Sequence, residues 1–208
     1  MKIKICGITN IEDALLAAEL GTDALGFIFV KTSPRCIRPS AARKIIQELP
    51  PFVVPVGVVA DAEHDDILEL IDETGIRCVQ FHGNESPKQL AKFPVPVYKS
   101  FCVDKEFNLE TLRRYKGSAY LLDTHIDGMP GGTGKTFDWD IAVKAKTFGR
   151  IILAGGLNPE NIIDAIQKVQ PYAVDVNSGV ESAPWKKDEN KLDKLFKNIQ
   201  SMQNNKMK

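Results

Sequence analysis

Eight short runs rich in β-branched residues alternate with amphipathic stretches of about ten residues along this 208-residue chain. That alternation calls for parallel strands joined by crossover helices. The runs predict strands at residues 2–7, 24–30, 53–60, 77–82, 97–103, 119–123, 150–154 and 173–176. Helical periodicity predicts their partners at 11–20, 40–49, 65–74, 87–93, 109–114, 139–146, 159–169 and 188–202. Eight strand–helix pairs in this length fit one α/β domain over residues 1–208, a (β/α)8 TIM barrel with short loops. An open doubly wound sheet is the alternative, although such sheets more often stop at about five to seven strands.

Composition narrows the partners. Lys plus Arg and Asp plus Glu both count 27, and no basic run is interleaved with aromatics, so neither nucleic acid nor a membrane surface is expected. The most apolar window, residues 51–60, holds two prolines and is about half the length of a bilayer span. Cys6, Cys36, Cys78 and Cys102 are widely spaced behind a start that leads directly into a strand, which reads as reduced thiols in the cytoplasm. A small molecule is the expected partner.

In parallel α/β folds, ligands sit at the carboxyl ends of the strands, so polar residues there are the candidates. Cys6 ends the first strand and precedes Gly7; its other reading is a buried small hydrophobe. Asp123 directly follows four strand residues and is either a rim carboxylate or a turn aspartate. Arg35, in Ser33-Pro34-Arg35 beyond the second strand, can clamp a carboxylate or remain a solvated surface charge. His82 closes the fourth strand; Cys78 lies four residues before it, a spacing that does not converge on a strand, so no metal is expected.

Two glycine-bearing turns fall in the seventh and eighth slots. Gly155-Gly156 precedes Leu157-Asn158-Pro159, where Asn158 is a helix cap and Pro159 the first helical residue. Asn177-Ser178-Gly179 follows the eighth strand. Adjacent turns after strands seven and eight are the usual phosphate cradle of the barrel. A third, longer glycine-rich segment after the sixth strand runs from Thr124 to Thr136 and reads as a lid. It does not make a nucleotide phosphate loop, because Met129 stands where that pattern needs glycine.

Together these motifs closely resemble the phosphoribosylanthranilate isomerase family of tryptophan biosynthesis, in order and over essentially the whole chain. They are Lys4-Ile5-Cys6-Gly7-Ile8-Thr9, Gly26-Phe27-Ile28-Phe29, Ser33-Pro34-Arg35, Val79-Gln80-Phe81-His82-Gly83, Leu121-Leu122-Asp123-Thr124, the segment from Gly131 to Trp139, that from Gly155 to Asn161 and that from Val174 to Glu181. The resemblance implies an Amadori rearrangement of a phosphoribosylated anthranilate, with Cys6 as general base, Asp123 as general acid and Arg35 on the anthranilate carboxylate. It further implies that Gly155, Gly156, Asn177, Ser178 and Gly179 hold phosphate and that His82 and Asp175 line the site. No cofactor is implied, since the protons move within the substrate. A monomer is expected, with a homodimer as the alternative.

Two departures from the family pattern stand out: Asn177 replaces the usual Ser, and Pro184-Trp185 replaces a common Pro-Gly, with a reshaped entry to the last helix as the expected result. Two rivals remain at this point. A histidine-pathway sugar isomerase does analogous chemistry on the same barrel, with a carboxylate where this chain has Cys6. A phosphosugar-binding barrel without catalysis is the other.

Overall fold

The computed structural model describes residues 1–104, 106–115, 119–124 and 138–205. Its strands are β1 (Lys2–Cys6), β2 (Ala24–Ile28), β3 (Val54–Val59), β4 (Cys78–Phe81), β5 (Val97–Val103), β6 (Tyr120–Thr124), β7 (Ile151–Leu153) and β8 (Ala173–Val176). They pair in parallel in chain order, and β8 returns to β1 with Lys4 opposite Asp175, so the sheet closes into a barrel. The open-sheet alternative is thereby excluded. The lid expected between Thr124 and Thr136 lies, apart from Thr124 itself, outside the described residues.

Period-two alternation gives each strand two faces. Ile3 and Ile5 turn outward into the layer shared with the helices, while Lys4 and Cys6 face the barrel interior. The outer layer is the main core: Phe27, Leu122 and Leu153 meet α1 (Ile11–Glu19), α2 (Pro39–Gln47), α4 (Trp139–Ala145), α5 (Ile162–Val169) and α6 (Glu189–Asn205). Buried alanines on those helices, among them Ala17, Ala42, Ala142 and Ala165, let the helix backbones approach the barrel. Each large aliphatic or aromatic side chain buried here contributes about 1.5–3 kcal/mol.

Six of the eight expected helices form, including α3 (His64–Thr74), and two slots differ. The helix expected at 87–93 is a series of turns. Pro94 and Pro96 disfavour helical backbone in the residues before them, and Lys92 sits at φ +69°. The stretch at Leu109–Arg114 is a 3-10 helix rather than an α-helix. A third difference lies after β7: the helix expected to open at Pro159 becomes regular only at Ile162. Asn158 still performs the capping bond expected of it, accepting from the backbone N–H groups of Glu160 and Asn161.

A short antiparallel hairpin, β9 (Glu181–Ala183) with β10 (Lys186–Lys187), stands between β8 and α6. It is anchored to α1 by the Lys187 backbone N–H, which donates to Asp13 Oδ2 at 2.8 Å.

Candidate active site

The interior side chains nearest the carboxyl ends of the strands include Cys6 from β1, Asp123 from β6 and, just past β4 and β8, His82 and Asn177. Cys6 is buried against Ile28 and Val58. Asp123 Oδ1 accepts the Thr124 backbone N–H at 2.8 Å, and Oδ2 lies 3.9 Å from His82 Nε2. Burial raises the Asp123 pKa above the usual carboxylate range, against the lowering pull of His82 and the Thr124 N–H. Burial also pushes His82 below its ordinary value, against the opposing pull of Asp123. A carboxyl whose pKa is raised beside a neutral imidazole is an arrangement suited to general acid work.

Beneath this layer the barrel is polar. Lys4 Nζ donates to Asp175 Oδ2 at 2.8 Å, and both side chains are buried. Burial opposes the Lys4 charge, yet Asp175, Cys6 and Tyr98 together more than offset it and the ammonium is held well above its ordinary pKa. The same lysine lies beside Cys6: a Cβ placed on Gly26 would stand 2.6 Å from Cys6 Sγ and 3.1 Å from Lys4 Nζ. Burial raises the Cys6 thiol, with Lys4 pulling it down and Asp175 adding to the rise. Lys4 and Asp175 act electrostatically on Asp123 as well, so thiol and carboxyl open onto one interior. Asp175 Oδ1 and Ser100 Oγ are buried and have no hydrogen-bond partner among the described residues.

Arg35 does not stand free at the rim. Its Nε and Nη2 donate to Glu181 at 2.8 and 2.6 Å, a two-point clamp within the protein. Glu181 also accepts from Lys187 Nζ at 2.9 Å, and Lys187 in turn donates to Asn177 Oδ1 at 3.1 Å. Asn177, the first departure from the family pattern, is therefore a partner of a buried lysine. Trp185, the second, sits in the hairpin turn at φ +66°, a backbone conformation that favours glycine, and its carbonyl accepts from Thr9 Oγ1 at 2.8 Å.

The turns after β7 and β8 meet as the sequence predicts. Gly155 and Gly156 have φ of +83° and +64°, and a Cβ on Gly155 would strike Thr124 Oγ1 and the Thr124 N–H. Ser178–Val180 forms a 3-10 turn, with Gly179 packed so closely on the Leu157 carbonyl that no side chain fits. Two small-residue turns in contact place backbone amides at the strand ends beside Asp123, a shape suited to an anion.

Lys4, Gln80, Tyr98, Glu181 and Lys187 were not singled out from sequence. Lys4 and Gln80 lie two residues before Cys6 and His82, so strand alternation carried a signal for both. Glu181 had none, because its ion pair with Arg35 spans 146 residues and depends on the closed fold, and Lys187, which pairs with Glu181, follows from that placement. Cys78 and His82 lie at opposite ends of β4, and no group of three or more His, Cys, Asp or Glu among the described residues could hold a metal ion.

A closed parallel barrel with a thiol, a raised carboxyl and adjoining glycine turns at one mouth defines the class of acid–base enzymes built on (β/α)8 barrels. The model of the family N-(5'-phosphoribosyl)anthranilate (PRA) isomerase matches residues 3–198, and the chain belongs to that family. The N-(5'-phosphoribosyl)anthranilate isomerase of Citrifermentans bemidjiense is 53% identical over 195 residues, 94% of this chain and 95% of that protein. The phosphoribosyl anthranilate isomerase of Thermotoga maritima superposes with a TM-score of 0.91 at 43% identity, covering 97% of this chain and 99% of that one. A further structure is of monomers generated from the dimeric Thermotoga maritima isomerase; it is 40% identical with a TM-score of 0.87 over 97% of this chain and 99% of that one. A phosphoribosyl anthranilate isomerase in complex with reduced 1-(o-carboxyphenylamino)-1-deoxyribulose 5-phosphate is 40% identical, with a TM-score of 0.87 and the same coverage.

Proposed function

We propose that the protein converts N-(5'-phosphoribosyl)anthranilate to 1-(2-carboxyphenylamino)-1-deoxyribulose 5-phosphate by an Amadori rearrangement in tryptophan biosynthesis. The observation that carries this reading is the pairing of Cys6 and Asp123 at one barrel mouth over the shared Lys4–Asp175 ion pair. Asp123, whose pKa burial raises, gives its proton to the furanose ring oxygen as the ring opens to a cationic imine. The imine acidifies the neighbouring sugar C2–H, and the Cys6 thiolate takes that proton to leave an enolamine, which tautomerises to the aminoketone. Lys4 supplies the positive charge that favours the thiolate.

Gly155, Gly156, Asn177, Ser178 and Gly179 hold the phosphate, Arg35, fixed by Glu181, meets the anthranilate carboxylate, and His82 and Asp175 line the sugar. The whole chain acts as one barrel domain without a cofactor, in the cytoplasm; no described helix is long and apolar enough to cross a membrane. The thiol at Cys6 favours this substrate over the histidine-pathway aminoaldose. A fluorescence assay of the wild-type protein on both substrates tests it: turnover of the ribosylated anthranilate alone is expected, and turnover of only the other would overturn it. Arg35→Ala should raise KM by at least about tenfold.

For assembly, one feature favours the homodimer that stands as the alternative to a monomer. The Phe52 ring, in the α2–β3 connection, is 93% exposed beside a cavity of about 290 Å³ at the amino-terminal mouth of the barrel, lined by Val54, Val56, Ile152 and Tyr172. An exposed aromatic next to an apolar hollow on the same face is self-complementary about a two-fold axis. Phe52→Glu should sediment as a monomer, and a wild type that sediments as a monomer at every concentration would contradict the dimer.

A further inference from the structure

His82 Nδ1 lies 3.1 Å from Gln80 Nε2, and Gln80 Oε1 accepts from Tyr98 Oη at 2.9 Å. Gln80 and Tyr98 are register partners on β4 and β5, and both are buried in the barrel interior. A buried phenol must place its proton on an acceptor, and Gln80 Oε1 is the acceptor it has. That bond turns the amide nitrogen toward His82. Because an amide nitrogen only donates, Nδ1 must accept, and the neutral ring carries its proton on Nε2, the atom facing Asp123.

Charging His82 would put a second proton on Nδ1, against the Gln80 N–H. Of the groups acting on the ring, Lys4 from β1 and Lys99 from β5 oppose its charge, Asp175 from β8 is paired with Lys4, and Asp123 from β6 favours an imidazolium only when ionised. They provide no excess of negative charge to favour an imidazolium. We propose that Gln80, held by Tyr98, is a positioning residue that keeps His82 as the neutral Nε2–H tautomer and so denies Asp123 a cationic neighbour. This rests on the reading of Asp123 as general acid: an imidazolium beside it would lower its pKa, whereas a neutral ring leaves it raised by burial, as donating a proton to the ring oxygen requires.

The test is two-bond 1H–15N NMR of the full-length protein labelled at histidine, run beside pH–rate profiles. At neutral pH the wild type should show His82 with unprotonated Nδ1 and protonated Nε2. Gln80→Glu offers Nδ1 an acceptor, so it should move the proton to Nδ1 or create the imidazolium, and raise the His82 pKa by at least about one unit. It should lower kcat at least about tenfold while KM stays within about threefold. Tyr98→Phe frees the amide to turn and should show a mixture of the two tautomers. A wild-type ring protonated on Nδ1, or a Gln80→Glu protein with unchanged spectrum and pH profile, would overturn the proposal. If Gln80→Glu fails to fold, the wild-type spectrum decides alone. Full activity in Asp123→Asn with the expected His82 spectrum would reject the acid reading and leave the tautomer assignment standing.

Discussion

Lys4 and Asp175 face each other across β1 and β8 with 2.8 Å between Nζ and Oδ2, and neither side chain is more than 7% exposed. One ion pair at this depth acts on both the thiol above it and the carboxyl across the barrel. Its position makes it the electrostatic floor of the site.

Removing one member should be costly. Lys4→Met leaves the Asp175 carboxylate buried without a counter-charge, at about 3–5 kcal/mol, whereas Lys4→Met with Asp175→Asn should recover much of that loss. Urea unfolding of the two variants checks it; equal destabilisation would mean that the pair is not coupled.

The Cys6 thiol is raised by burial and restrained by Lys4, so it is mostly protonated at neutral pH. Its alkylation by iodoacetamide should accelerate as pH rises through the alkaline range, and Lys4→Met should shift that rise to still higher pH. Asp123, raised as a carboxyl, must lose its proton as pH climbs through its own value. The working form carries the proton on Asp123 and none on Cys6, so kcat/KM should fall at acid pH, where both groups are protonated, and at alkaline pH, where neither is, with a plateau between. An alkylation rate independent of pH would contradict this ordering.

Gly26 is the register partner of Cys6, and the absent Cβ is what admits the sulfur, which would otherwise lie 2.6 Å from it. Gly26→Ala should lower kcat at least about a hundredfold by displacing the thiol. Steady-state kinetics with intact circular dichroism checks it; wild-type kcat would show that the thiol need not stand there.

How much of this was legible in the sequence follows from what each residue depends on. The strands were legible because Ile3, Ile5, Val56 and Val58 carry their own β propensity, and Cys6 and Asp123 because strand ends are functional edges in such folds. The helix expected at 87–93 was not foreseeable as turns without weighing Pro94 and Pro96 against its periodicity. Tyr98 could not be matched to Gln80 without the register of β4 and β5, and Arg35 could not be paired with Glu181 before the barrel closed.

Trp185 holds φ +66° in the hairpin turn while its side chain is 54% exposed. Trp185→Gly should relieve backbone strain and stabilise the protein by about 0.5–1 kcal/mol, after the greater freedom of glycine in the unfolded chain is subtracted. Trp185→Ala, whose Cβ suffers the same strain, should gain nothing. Thermal melts distinguish them, and a gain in the alanine variant equal to that in glycine would assign the effect to the indole instead.

The most direct measurement is turnover and binding of the ribosylated anthranilate by Cys6→Ala and Asp123→Asn, each set against the wild type. Both variants should lose at least about a hundredfold in kcat while still binding the substrate. Near-wild-type turnover in either one would contradict the paired acid and base at the barrel mouth.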